Sequence, residues 1–289
     1  MHPSRVFQGV ALLVGLGLFM FALGIWFVLP RVLQLWIWPK TPPLGCAFVA
    51  AMLAGGAAPL VWIGLSGHLA AIRAPMLTGV VANAGIALHL FAKHARPGNE
   101  RYLPFAALFA VGSLLAGIAF VWGKQLPPPG DRSIPRLVRW AFLFFAALLL
   151  PVGAALVLGL PYVFPIPLSP DMAAVYGWFF LGSFVYYLYG FWKPSLLNAT
   201  GQMLSFLVYD LFTIPPYLTY WAVVPTVFQT SLNAYLAVLF ASAMFCGYFL
   251  LVDPRTRFIA NRLPSERDLA RAGQAQLCGR GGRPPAVAP

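Results

Sequence analysis

Residues 6–30 read VFQGVALLVGLGLFMFALGIWFVLP, without one charge between Arg5 and Arg31. A helix needs about 20 apolar residues to cross the hydrocarbon core of a bilayer. This stretch is long enough, and similar stretches recur to about residue 252. The chain therefore reads as an all-α, multi-pass membrane protein. Composition agrees: charged residues are 9% of the 289 and hydrophobic residues 60%, where a soluble domain carries roughly 25% charged. The first stretch is too long for a signal-peptide core and lacks a small-residue cleavage site, so it is expected to stay as a helix.

Working outward, the spacing predicts about eight spans, near 6–29, 44–66, 75–92, 102–123, 137–159, 172–192, 203–223 and 231–252. Pro and Gly mark the joints: Pro39, Pro42 and Pro43; Pro97 and Gly98; Pro127 to Gly130; Pro161 to Pro170; Pro225. Residues 194–252 are too long for one crossing at about 1.5 Å per residue, and Pro225 near their middle divides them.

Charge placement gives orientation. Arg5, Arg73, Lys124, Arg132, Arg136, Arg139, Lys193 and seven tail arginines fall on one side. Arg31, Lys40, Lys93, Arg96 and Arg101 fall on the other. The positive-inside rule then places both termini in the cytoplasm. The net charge of +12 is a topology signal in this pattern and argues against nucleic-acid binding. Residues 254–289 form a basic tail. Ser265 and Asp268 could cap a short helix there, and beyond Gly279 the composition cannot build a core. Its arginines could rest on anionic lipid headgroups, each contributing on the order of 1 kcal/mol.

The two halves resemble each other at one spacing. Arg5 falls on Arg136, Leu29-Pro30 on Leu160-Pro161, and Val32 on Val163. Ala106, Leu108, Phe109 and Ala110 fall on Ala237, Leu239, Phe240 and Ala241. In the first loop a shift of about three residues aligns Pro39-Lys40-Thr41-Pro42 with Pro167-Leu168-Ser169-Pro170. The expected organisation is a four-helix repeat over 1–130, a second over 131–253, and the tail. An even number of spans per half gives both halves one orientation, hence a pseudo-twofold along the membrane normal. Thr41 and Ser169 read as helix N-caps followed by Pro, with Asp171 adding negative charge at the helix start. The stretches WIWPKTPP and PLSPDMAAVYGWFFLG resemble a motif of small bacterial multi-pass membrane proteins, roughly Trp-Pro-x-x-Thr-Pro-x-x-Ala-x-x-x-Gly-Ala-Trp, between the first two helices of a four-helix unit. The first half lacks the Gly-Ala-Trp part. The resemblance implies this architecture and a bacterial inner-membrane location.

Asp210 is the most unusual residue. It lies in FLVYDLFTIPPYLTYW, with no Lys or Arg between Lys193 and Arg255. A carboxyl at membrane depth is costly and marks a site by default; desolvation favours its neutral form. Pro215 and Pro216 remove two backbone donors and are expected to kink or break the helix. Folding the sixth span back about residue 198 brings Tyr186 and Tyr187 to the depth of Asp210 as hydrogen-bond partners. Asn83 lies in the repeat counterpart of this helix and could share one face and depth with Asp210.

Other chemistry finds little support. Cys46, Cys246 and Cys278 form no CxxC pattern, so no disulfide framework, zinc site or covalent haem is expected. His68 and His89 fall at different depths, and no Lys lies inside a span for a Schiff base. Asn198-Ala199-Thr200 falls in a short loop. GLGLFMFALG has no preceding strand and fails the dinucleotide context. No cofactor and no metal are expected, and no convergent catalytic set argues for an enzyme. The remaining readings are a small-molecule or ion transporter or channel, and a noncatalytic scaffold or subunit of a membrane complex, alone or as a homo- or hetero-oligomer.

Overall fold

The computed structural model describes residues 3–126 and 132–257. Among these, the long helices are α1 (Pro3–Trp26), α2 (Pro43–Ser66), α3 (Arg73–His94), α4 (Tyr102–Gln125), α5 (Arg136–Val157), α6 (Pro170–Trp192), α7 (Leu196–Thr219) and α8 (Thr226–Gly247). A π-helical turn, Tyr248–Val252, extends α8. All but α7 are long and apolar enough to cross a bilayer. The protein is thus an all-α, multi-pass membrane protein. Helix α7 is as long, 24 residues, but carries Asn198, Thr200, Gln202, Asp210 and Thr213 as buried polar side chains. Pro225 immediately precedes α8, where the sequence divides the two spans. Most of the basic tail lies outside the described residues.

Helices pair in chain order: α1 on α2, α3 on α4, α5 on α6 and α7 on α8. The pairs then join crosswise, α2 against α7 and α3 against α6. The consecutive helices α2 and α3, and α6 and α7, touch far less. Helix α2 ends up the most enclosed, whereas α1 and α4 present Leu13, Met20, Leu108, Leu114 and Ile118 outward. Such apolar outer faces suit lipid contact.

Helices α1 and α5 end alike. Leu29 N–H bonds the Gly24 carbonyl at 2.9 Å, and Leu160 N–H bonds that of Ala155 at 2.9 Å. Both turns pass through a left-handed residue, Val28 (φ 54°) and Gly159 (φ 70°). This is the Schellman closure, which favours Gly. A β-branched residue there is strained.

Three expectations need correction. Helix α7 begins at Leu196, not near residue 203. Ser195 caps it, accepting from Asn198 N–H at 3.2 Å, so Asn198-Ala199-Thr200 forms its first turn and not a loop. Polar residues there mimic a loop but are buried against neighbouring helices. Second, α7 does not break at its prolines: it continues past Pro215 and Pro216 to Thr219. Third, Ser169 caps α6, accepting from Met172 N–H at 3.3 Å, but Thr41 does not cap α2. Its hydroxyl donates to the Trp38 carbonyl at 2.7 Å, and Pro42 takes the cap position.

Val28 and Gly159 give a test of the shared turn. Val28→Gly should raise stability by about 0.5–1 kcal/mol, and Gly159→Val should lower it by about 1–2 kcal/mol. Thermal unfolding of both variants in one detergent measures this. Equal and opposite signs to these would show that the turn is not left-handed.

Candidate functional site around Asp210

Asp210 has no exposed surface. Its Oδ2 lies 2.6 Å from Ser242 Oγ of α8, and that Oγ also lies 3.0 Å from the Leu239 carbonyl oxygen. The other carboxyl oxygen, Oδ1, is buried without a hydrogen-bond partner among the described residues. Tyr187 of α6, Tyr209 of α7, and Tyr235 and Cys246 of α8 are the titratable groups close enough to feel its charge.

A tyrosine cluster leads from this carboxyl toward the end of the bundle where α2 begins. The Tyr209 and Tyr235 hydroxyls bond each other. The Tyr217 ring lies 5.4 Å from that of Tyr235, and its hydroxyl donates to the Leu44 carbonyl at 3.4 Å. Tyr176 donates to the next carbonyl, Gly45, at 3.0 Å. Phe48 and Phe164 fill the space between these rings. These hydroxyls are satisfied in separate pieces, one pair bonded to each other and two ending on backbone carbonyls, which gives the apolar wall between them its polar points.

The expected partners of Asp210 are misplaced. The Gln202 side chain donates to the Tyr186 carbonyl, so the α6–α7 hairpin folds back near Pro194 and not near residue 198. That sets Tyr186 level with Gln202, about 12 Å along the helix from Asp210 at 1.5 Å per residue. The Tyr186 hydroxyl is buried without a hydrogen-bond partner among the described residues. The Tyr187 ring packs on Phe145 and Phe206, within range of the Asp210 charge but without a hydrogen bond to it. Asn83 sits elsewhere: its amide faces Gly79 and Gly112, in the α3–α4 contact. It does not share a surface with Asp210.

The prolines act through a neighbour. Pro216 has no N–H, so the Phe212 carbonyl one turn back loses its helical donor. Trp26 Nε1 of α1 donates to it at 2.9 Å. Thr219 Oγ1 donates to the Pro215 carbonyl at 2.9 Å. Of the two carbonyls freed by the prolines, Leu211 and Phe212, that of Phe212 thus gains a side-chain donor from α1, a usual condition for Pro in a membrane helix.

Ser242, Tyr235 and Trp26 were the residues that sequence reasoning missed. Ser242 is polar in an apolar span, which is a signal, but nothing in the sequence says which helix it faces. At the α2-start end of the bundle a second polar group joins α3 to α6. Lys93 pairs with Asp171 Oδ1, and His89 Nε2 lies 3.5 Å from the same oxygen.

No family model, curated protein or solved structure matches the chain.

The Trp26 bond predicts a coupled pair. Trp26→Phe should cost about 0.6–2 kcal/mol, the range of interhelical hydrogen bonds in membranes. In a Pro216→Ala background, where the backbone donor returns, the same change should cost clearly less. A double-mutant cycle on thermal stability measures the difference; additive costs would contradict it.

Proposed function

We propose that the protein is a small-solute or ion transporter of a bacterial inner membrane, built from two four-helix repeats, with Asp210 as its ion- or substrate-linked group. The observation that carries this reading is the buried Asp210 carboxyl, with one oxygen lacking a partner and no cation facing it among the described residues. A structural hydrogen bond does not need such a group. On the opposite helix pair a serine bridges the helices without an acid: Ser113 Oγ of α4 donates to the Val80 carbonyl of α3 at 3.0 Å. Asp210 adds a charge-capable group where a backbone carbonyl suffices.

Several features support the repeat. Exchanging α1–α4 for α5–α8 maps every strong helix pairing onto another: α1–α2 onto α5–α6, α3–α4 onto α7–α8, and α2–α7 onto α3–α6. The closures at Val28 and Gly159 keep the spacing of Arg5 and Arg136. At that spacing Gln8 corresponds to Arg139. Gln8 Nε2 donates to Gly64 O at 2.8 Å, at the end of α2, and Arg139 Nε to Phe191 O at 3.2 Å, at the end of α6. Phe48 and Tyr176 stand at the spacing of Pro42 and Pro170, and their ring centroids are 4.2 Å apart. Counterparts that touch belong on a twofold axis. The tyrosine cluster, which touches Leu44, Gly45 and Phe48 of the first half, then lies where the repeats meet, the place where transporters with internal repeats bind their cargo, and Asp210 lies beside it on the α7–α8 contact of the second repeat. All eight helices cross in this reading, with both termini cytoplasmic and α2 and α6 starting at the outer surface.

A second reading, a noncatalytic subunit of a membrane complex, draws on the sealing of Asp210 under tyrosine and phenylalanine rings. It also draws on an open, largely apolar groove along α4 from Ser113 to Gln125, beside the stacked Phe7 and Trp122.

Two measurements test these proposals. Single cysteines at Lys40, Arg96 and Asp171 should react with an impermeant reagent from the opposite side to one at Arg132. Labelling of all four from one side would sink the topology. A thermal-shift screen should find a solute that wild-type proteoliposomes accumulate; Asp210→Asn should abolish uptake with expression near normal, and Asp210→Leu should in addition lower thermal stability. Undiminished uptake by Asp210→Asn would remove Asp210 from the mechanism. A stoichiometric partner that co-purifies, with no solute taken up, would favour the subunit.

A further inference from the structure

We propose that Asp210 is a reversible proton-binding site, so that the ion handled at the α7–α8 contact is the proton and not an alkali-metal cation. The inference deepens the transport reading and rests on it for the use made of the proton, though not for the binding itself. Its main support is a hydrogen-bond count. Ser242 Oγ lies between two acceptors, Asp210 Oδ2 and the Leu239 carbonyl oxygen, at 2.6 and 3.0 Å. A serine hydroxyl carries one hydrogen and can satisfy one of them well. With Asp210 ionised, one acceptor goes short. With a proton on Oδ2, the carboxyl O–H donates to Ser242 Oγ, and the serine hydroxyl donates to Leu239. Oδ2, the serine hydroxyl and the Leu239 carbonyl are then all satisfied, and Oδ1, still without a partner among the described residues, is left as the oxygen of a neutral carboxyl and not of a carboxylate.

The surroundings agree. A buried carboxylate requires a positive partner or a proton. The titratable groups that face Asp210 are Tyr187 from α6, Tyr209 on its own helix, and Tyr235 and Cys246 from α8. None of these is a cation. On the other side of α7, the only titratable side chain of α2 is Cys46, near its start, and that of α1 is Arg5, near its start. Among the described residues, no counter-charge is supplied from a helix packed on α7.

An alkali-metal cation would need several oxygens converging on one point. In transporters, unwound helices supply carbonyls for that purpose. Helix α7 stays helical past its prolines, and the Phe212 carbonyl that Pro216 releases is already taken by Trp26. Leu211 and Pro215, around the other released carbonyl, are exposed on the outer face of the helix. Asp210 and Ser242 offer too few ligands for a metal ion and a complete set for a proton. On binding, the proton comes from water and adds to Oδ2, and no electron changes hands.

Infrared difference spectroscopy of the purified full-length protein tests this, with protons and sodium chloride as the probes. Wild type should show a protonated-carboxyl carbonyl band that appears and disappears as the sample is cycled between about pH 5 and about pH 9. The band should shift in deuterated water, be absent in Asp210→Asn, and move in frequency in Ser242→Ala, which removes the hydroxyl it bonds. Sodium should leave it unchanged at fixed pH. Loss of the band on adding sodium, or a carboxyl that stays in one protonation state throughout, would overturn the inference. The two readings fail separately. A titrating band in a protein that accumulates no solute keeps the proton site and removes transport. A sodium-responsive carboxylate in a protein that does accumulate solute removes the proton site alone.

Discussion

Apolar helices in a bilayer gain nothing by exchanging lipid for one another, so their association depends on how closely their backbones can approach. This chain meets that constraint with glycine at its crossing points. A Cβ on Gly55 of α2 would stand 3.0 Å from the Ser205 carbonyl oxygen of α7. One on Gly182 of α6 would stand 2.8 Å from Ala82 Cβ of α3. On Gly85 it would run into the Trp178 ring, at 1.9 Å. These approaches hold the crosswise contacts α2–α7 and α3–α6 together. Without them the helices would be four hairpins side by side.

The crosswise contacts also make room for a polar helix. Lipid cannot satisfy Asn198, Gln202 or Asp210, so α7 has to be wrapped by protein. Helices α2 and α8 cover its two sides, and α1 reaches the Phe212 carbonyl through Trp26. Local satisfaction does the rest. Asn198 Nδ2 donates to the Lys193 carbonyl at 2.9 Å and Thr200 Oγ1 to that of Leu196 at 2.8 Å. Thr213 Oγ1 donates to the Tyr209 carbonyl at 2.7 Å. Gln202 Oε1 and Asp210 Oδ1 are the atoms of these side chains left without a partner among the described residues, and of the two only Asp210 can carry a charge, which is why its chemistry, and not its packing, dominates the functional reading.

Much of the fold was legible because charge and proline interrupt apolar runs at the right intervals; Pro225 separates α7 from α8 where the length argument requires. The start of α7 was not legible. Asn198, Thr200 and Gln202 have loop-like composition, and only tertiary contact makes them helical and buried. That one shift moved the hairpin pivot and assigned Asp210 the wrong partners, Tyr186 and Tyr187 in place of Ser242. That α7 does not break at Pro215 and Pro216 was not legible for a similar reason: the donor that rescues the Phe212 carbonyl comes from α1, far away in sequence. Asp210 itself was legible from cost alone. The crosswise packing was not, because helices apolar on every side give no periodicity that says which face meets which neighbour.

Disulfide trapping between the halves tests the crosswise packing most directly. The halves would be co-expressed as separate chains, with Cys46, Cys246 and Cys278 replaced and one cysteine placed in each half. Gly182→Cys with Ala82→Cys, and Gly55→Cys with Ser205→Cys, should each join the halves on a non-reducing gel: the first pair of Cβ positions, 2.8 Å apart, needs only a small outward shift to reach the about 3.5–4.5 Å of a bridge, and a Gly55 Cβ stands 3.5 Å from Ser205 Oγ. Helix pairs placed side by side in chain order, with α2 against α3 and α6 against α7, would leave both combinations unlinked, and that result would contradict the account.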